Sequence, residues 1–274
     1  MDTRFAQSLL TVIEEGSLAA AARRQGLTAA ALAQRMQALE RMFGTRLIER
    51  VGQTVRPTAA AQRMVPRLQR IVEDTRRLTS DLDASGLSGP YRLSSIATAL
   101  ADHATNIVSH LADRAPECAL TITPGDSRSL LRSLEADETD AAIVVRPPSG
   151  GPKSIQMTPI AAQPFVMVAS DQADSPEGLI LYDRSTCCGR LAWKWIANAI
   201  PNVKIVCEMD DPQSIAVLAA SGLGRAVLPK WRALEDIAGL QATQIDDAPC
   251  REVVLATKGG PSAIDQLVVE ATKR

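Results

Sequence analysis

Apolar residues near the start of the chain recur at helical spacing. Phe5, Leu9, Leu10, Val12 and Ile13 form a run that stops at Glu14-Glu15-Gly16, which predicts a first helix. Ser17 is placed to cap a second helix over 18–25, ending at Gly26, and Thr28 to cap a third that runs to about Met42, before Gly44. Leu32, Met36 and Leu39 share one face of that third helix at i, i+4 and i+7. They are expected to pack inward, turning Ala29, Ala30, Ala33, Gln34 and Gln37 outward. The Gly26-Leu27-Thr28 junction has room only for a tight turn, and the alanines on either side allow two short helices to cross closely with one presented outward.

Past this region, RLIERVGQTVRPT has two short apolar runs around Gly52-Gln53 and reads as a two-stranded wing carrying Arg46, Arg50 and Arg56. From Thr58 to about Leu82 the residues Met64, Leu68, Ile71, Thr75, Leu78 and Leu82 step by 4, 3, 4, 3 and 4. That is a heptad seam on one long helix, with Pro66 expected to kink it near its start, and it implies a partner helix from a second copy. The expected domain limits are 1–58 for the winged helix-turn-helix and 59–84 for the linker helix.

Gly86, Gly89 and Pro90 in DASGLSGPYR break any helix, so 85–90 reads as a hinge and a second domain of 91–274 follows. Short apolar runs there alternate with helical ones. YRLSSI, CALTIT, DAAIVVR, PFVMVAS, GLILYD, VKIVCEM, GRAVLP and REVVLATK read as strands, with helices over 99–115, 129–136, 191–199, 212–221 and 263–271. This predicts an α/β domain of parallel strands and crossover helices in two lobes with a cleft between them, lobe I about 91–165 and 235–274, lobe II about 166–234. The fold class is α/β overall, with an all-α winged helix-turn-helix and long linker helix at the N-terminal end.

A formal net charge of −1 conceals an asymmetry. Residues 1–80 hold thirteen arginines, no lysine and seven acidic side chains, a balance of +6 that leaves −7 for the rest. A basic partner surface is therefore N-terminal, and guanidinium groups suit phosphates and guanine edges. The first residues lack the basic-then-apolar pattern of a secretion signal, and no run approaches the ~18 apolar residues of a membrane helix. A cytoplasmic protein without a membrane partner is expected. Five cysteines without C-x-x-C spacing and only two histidines, His103 and His110, argue against a disulfide framework, a metal site or a histidine-based catalytic cluster. The sequence has no G-x-S-x-G elbow or phosphate loop, and Asp210-Asp211 and Asp246-Asp247 read as turn or capping residues. An enzyme is not expected, nor any metal or cofactor.

The stretch from Phe5 to Arg50 resembles the winged helix-turn-helix of LysR-type transcriptional regulators. The EEGS turn, the AA-x-x-x-x-LT step, the Leu39-Glu40 pair and G-x-R-L-I-x-R are all in register. PECALTITPGDSRSLLRSLEADETDAAIV, MDDPQSIAVLAASGLGRAVLP and the REVVLATK strand are similar to that family's effector domain. The resemblance spans nearly the whole chain. It implies a bacterial cytoplasmic regulator that binds promoter DNA as a homodimer or homotetramer and contacts RNA polymerase if it activates. Its periplasmic-binding-protein-like domain would sense a small molecule. The family's Ser-Gln-Pro-Ala-Leu-Ser type run is matched here by Thr28, Ala29, Ala30, Ala31, Leu32 and Ala33, so glutamine and serine donors are absent.

Base reading is therefore expected from Thr28, Gln34 and Arg35, with Ala29, Ala30 and Ala33 meeting thymine methyls. Arg35, Arg50, Arg56 and the wing, with Gln53, are the expected contacts to phosphates, and Ser17 and Arg24 are further expected DNA-binding residues. For the effector, Thr98 matches a family position that often carries a hydroxyl, while Ile96 stands where the family commonly has serine. Gly125, Asp126 and Ser127 are expected to line the cleft with Thr186, Cys187 and Cys188. Two alternatives stay open: a thiol-based redox sensor using Cys187 and Cys188, and an architectural DNA-binding protein without an effector.

Overall fold

The computed structural model describes residues 2–52, 54–80, 82–172, 178–200 and 202–274. The chain divides into two compact units, Met1–Ala84 and Ser85–Arg274.

In the first unit, α1 (Thr3–Glu15) starts at Asp2, whose carboxylate accepts from the Arg4 N–H, and ends on Gly16 at φ 60°. Helices α2 (Leu18–Arg24) and α3 (Ala29–Phe43) are capped by the hydroxyls of Ser17 and Thr28. Strands β1 (Ile48–Val51) and β2 (Thr54–Pro57) pair antiparallel as the wing. Ala6, Ala21 and Ala22 are buried beside Leu9, Leu32, Met36 and Leu39. Their methyl groups let the helix backbones approach closely, which accounts for alanine at these buried positions.

Helix α4 (Ala59–Ser80) runs through Pro66, with Thr58 capping its first turn. The heptad seam is divided. Leu68 is buried with Val72 in the unit's own core and Met64 packs against that core, whereas Ile71, Thr75 and Leu78 are exposed. Leu82 lies beyond the helix end and is 84 % exposed. The expectation that all six residues face a partner is corrected on geometric grounds. α1, which packs on α4, has 13 residues against 22. At 1.5 Å per residue it covers about 20 Å of a helix roughly 33 Å long.

The second unit contains β3 (Gly89–Ser95), α5 (Ala97–Arg114), β4 (Cys118–Pro124), α6 (Ser127–Glu135), β5 (Ala141–Val145) and β6 (Ile155–Ser170). It continues through β7 (Leu179–Tyr182), α7 (Cys187–Ala199), β8 (Ile205–Met209), α8 (Pro212–Ala220) and β9 (Ala226–Pro229). A short 3-10 helix (Arg232–Asp236), β10 (Leu240–Gln244), β11 (Cys250–Lys258) and α9 (Ala263–Thr272) complete it. Two arrangements depart from the wholly parallel sheet expected. β4, β3 and β5 are parallel, but β11 lies antiparallel between β5 and β6. β6 is one strand of 16 residues. Its first part pairs with β11 in lobe I, and its last part pairs with β9 and β10 in lobe II.

Parallel β7 and β8 join lobe II through the Leu179–Arg225 bridge to the β9 end. Because β10 pairs with Val166–Ser170, the chain returns to lobe I at Cys250 and not near 235 as expected. Lobe I is filled by Ile107, Leu111, Leu134, Ile143, Leu255 and Val268. Trp231, Ile215, Leu228 and Val168 fill lobe II.

Candidate functional sites

In the first unit the outward face of α3 carries exposed Ala29, Ala30 and Gln34, with Ala33 half-buried. The Ser17 and Thr28 hydroxyls accept from the N–H groups of Ala20 and Ala31, so both residues position helices as well as facing out. A concavity of about 530 Å³ is lined by Ser17, Ala29, Ala33, Arg50 and Gly52. It brings together the starts of α2 and α3 and the wing. Arg50 is the cross-strand partner of buried Val55 and so lies on the wing face toward this concavity, while Arg56, also exposed, stands opposite Glu49 on the other face. Arg24 is exposed but ion-paired to Glu14 at 3.0 Å and Glu15 at 2.8 Å. Gln53 lies outside the described residues.

Arg35 requires a correction. Its Nη1 donates to Ser8 Oγ at 2.9 Å and its guanidinium lies 5.7 Å from the Phe5 ring centroid. Ser8 in turn contacts Gln25 Oε1 at 2.7 Å, and Gln25 Nε2 donates to Thr11 Oγ1 at 2.8 Å. These side chains tie α3 to α1 and to the end of α2, so Arg35 is occupied within the protein and not presented as a base reader. Glu40, noted in the sequence only as part of the Leu39-Glu40 pair, has a structural role. Its Oε1 accepts from the N–H groups of Leu47 and Ile48 at 2.9 and 3.3 Å, fixing the wing to the third helix.

In the second unit, Thr98, Gly125, Asp126, Ser127, Thr186, Cys187 and Cys188 line one cavity of about 830 Å³ between the lobes. The first turns of α5, α6, α7 and α8 all contribute to it. Three of these helix starts are closed by their own side chains. Asp126 accepts from the N–H groups of Arg128 and Ser129, the Thr186 hydroxyl from Gly189, and Asp211 from Ser214. α5 has Ile96 at the cap position and no side-chain acceptor. Ser127 Oγ accepts from the Val145 N–H at 3.1 Å, fixing α6 to the end of β5. Gly189 is required by close approach, since a Cβ there would meet Asp183 O at 1.8 Å.

The residue that sequence reasoning missed is Arg251, only 3 % exposed at the start of β11. Its Nε and Nη2 donate to Gln163 Oε1 at 2.8 and 2.6 Å, Nη2 to Thr98 Oγ1 at 2.8 Å, and Nη1 to Cys188 Sγ at 3.5 Å. All three acceptors are uncharged side chains. Tyr182 and Asp210 also line the cavity. Burial and neighbouring Asp183, Asp126 and Asp211 hold the Asp210 carboxyl above its usual range. The Cys187 thiol is likewise pushed up, first by burial and then by Cys188, against the opposing pull of Arg190 and Arg251. That is the reverse of what a reactive thiolate needs.

Among the described residues, no group of His, Cys, Asp and Glu is placed to hold a metal ion, and no helix is long and apolar enough to cross a membrane.

Comparison with known proteins bears on both units. Residues 4–62 match the family described as bacterial regulatory helix-turn-helix protein, lysR family, and residues 84–268 match the LysR substrate binding domain. The HTH-type transcriptional regulator IlvR of Caulobacter vibrioides is 26 % identical over 96 % of this chain and 94 % of its own. Among solved structures, full-length CbnR complexed with its target DNA superposes with a TM-score of 0.68 at 16 % identity, covering 100 % of this chain and 99 % of that one. A probable transcriptional regulator, PA0477 from Pseudomonas aeruginosa, gives 0.71 at 15 % identity, covering 100 % and 96 %. An OxyR C206 mutant from Corynebacterium glutamicum gives 0.64 at 19 %, covering 99 % and 91 %. These likenesses show the fold. With a helix-turn-helix unit and a two-lobed substrate-binding domain both matched, the chain belongs to the LysR family of DNA-binding transcriptional regulators.

Proposed function

We propose that this regulator reads its operator with the outward face of α3 and that a small molecule bound between the lobes of the second unit controls it. The observation that carries the reading is the cavity. Seven residues from three separate segments, with buried Arg251 from a fourth, surround one space large enough for a metabolite. Thr28, Ala29, Ala30, Ala33 and Gln34 are assigned to bases, and Ser17, Arg24, Arg50 and Arg56 to phosphates. So short a set of polar base readers leaves much of the affinity to phosphate contacts, which salt screens. The exposed part of α4, at Ile71, Thr75 and Leu78, is assigned to pairing with a second copy, and two such dimers make the tetramer. The protein works in the cytoplasm as a non-enzymatic regulator, contacting RNA polymerase where it activates.

The raised Cys187 thiol counts against the redox alternative. The test is a footprint on the DNA upstream of the protein's own gene at two salt concentrations. Protection of an interrupted palindrome at both is expected. Uniform coverage that collapses at the higher salt would move the architectural reading ahead.

A further inference from the structure

Among the described residues, no carboxylate pairs with Arg251. Arginine stays ionised at any ordinary pH, so a buried guanidinium requires compensation. Its hydrogen-bond acceptors are Gln163, Thr98 and the Cys188 sulfur. The nearby carboxylate, Asp102, stands behind Gln163 at 3.3 Å and is taken by the N–H groups of Arg232 and Ala233 at 3.1 and 3.0 Å. Thr98, which receives Arg251, sits in the first turn of α5, the 18-residue helix whose N-terminus has no side-chain cap. A guanidinium, a hydroxyl and the positive end of a helix therefore meet on the lobe I wall of the cavity.

The opposite sign gathers on another wall. Asp126, Asp210 and Asp211 line the same cavity, with Asp183 close enough to Asp210 to bear on its charge. Asp126, Asp183 and Asp211 accept backbone N–H groups. Asp210 does not, and among the described residues it has no cationic partner. Tyr182, on the same cavity, is close enough to Arg251, Asp210 and Asp211 to feel all three charges. Arg128, Arg132 and Arg190 are also at the cavity and are exposed to solvent, as Asp210 is; Arg251 is the buried cation among its lining residues. Leu131, Val145 and Pro147, which line the same cavity, offer an apolar surface for a side chain.

Resting on the effector-cleft reading above, we propose that the ligand is a small amphoteric molecule of the amino acid class. Its carboxylate is received by Arg251, Thr98 and the α5 N-terminus, and its ammonium by Asp210. Thr98 belongs to lobe I and Asp210 to the β8–α8 turn of lobe II, so a ligand with both charges ties the lobes together. A ligand with one charge engages only one of them.

The test is calorimetric titration and thermal denaturation of the full-length protein. The probes are the common L-amino acids, each with its decarboxylated amine and its 2-oxo acid, together with succinate and glucose 6-phosphate. One amino acid or a small group is expected to bind about tenfold or more tighter than its own amine and oxo acid. Asp210→Asn should abolish the preference over the oxo acid while leaving oxo acid affinity unchanged, and Arg251→Gln should weaken both acids alike. If Arg251→Gln does not fold, the exposed Asp210 variant still decides. Tightest binding by succinate, the sugar phosphate or an amine, or a preference untouched in Asp210→Asn, overturns the amphoteric assignment while keeping the cleft as a ligand site. Failure of every probe to bind overturns that assignment and the cleft reading together.

Discussion

At the scale of single residues, several polar side chains serve the protein itself before they serve a partner. Arg35 holds α1 through Ser8 and Phe5. Arg35→Ala is expected to lower stability by about 1–2 kcal/mol in urea denaturation, from the lost hydrogen bond and its unpaired acceptor. It should leave the ratio of operator to random-DNA affinity unchanged. Gln34→Ala should do the opposite, reducing that ratio with little loss of stability. Glu208 links β8 to the turn before α7, accepting from the Arg184 N–H and side chain, and this holds its carboxyl down at about 2 against an ordinary 4.5. A depressed carboxyl stabilises the fold above its unfolded value, and the contribution fades as pH falls from about 4.5 through about 2. Glu208→Gln is therefore expected to flatten the acid-side decline of melting temperature in that window. A parallel decline in parent and variant would show the pair to be inconsequential. Arg251 shows what local patterns conceal: nothing beside it in REVVLATK marks a buried cation, because its acceptors come from residues 63, 88 and 153 positions away.

At the scale of elements, α4 illustrates the division of labour within one helix. Leu68→Ala removes buried apolar volume and is expected to cost about 2–5 kcal/mol of the first unit's stability. Leu78→Glu, at a position 66 % exposed, should leave that stability alone and instead convert dimers to monomers in sedimentation velocity. Helices were legible in the sequence wherever their boundaries are local chemistry. Thr28 and Gly44 bracket α3 and Ser262 starts α9 with a capping box, each a signal contained within a few residues. Strands set by distant partners were less so. The first half of β6 contains Pro159 and shows no clean alternation of buried and exposed positions, and β10 is mostly exposed at the sheet edge. The six-residue seam was legible as a stripe. That its first two residues, Met64 and Leu68, belong to the protein's own core depends on where α1 ends.

At the scale of the whole molecule, each unit has its own apolar core, and the regulatory unit encloses the charged cavity between its lobes. A ligand that prefers one lobe arrangement shifts the population toward it by the difference in its affinity for the two, and by no more. The sheet order has a separate consequence for how the protein is made. β11, near the end of the chain, is an interior strand of lobe I, hydrogen-bonded to β5 on one side and to β6 on the other. Until Cys250–Lys258 leaves the ribosome, β5 and β6 each present an unpaired edge, and every contact that closes the sheet spans about ninety residues or more. The nascent regulatory unit thus stays open to mispairing with its neighbours until β11 emerges, because that strand is the one that makes lobe I a single sheet.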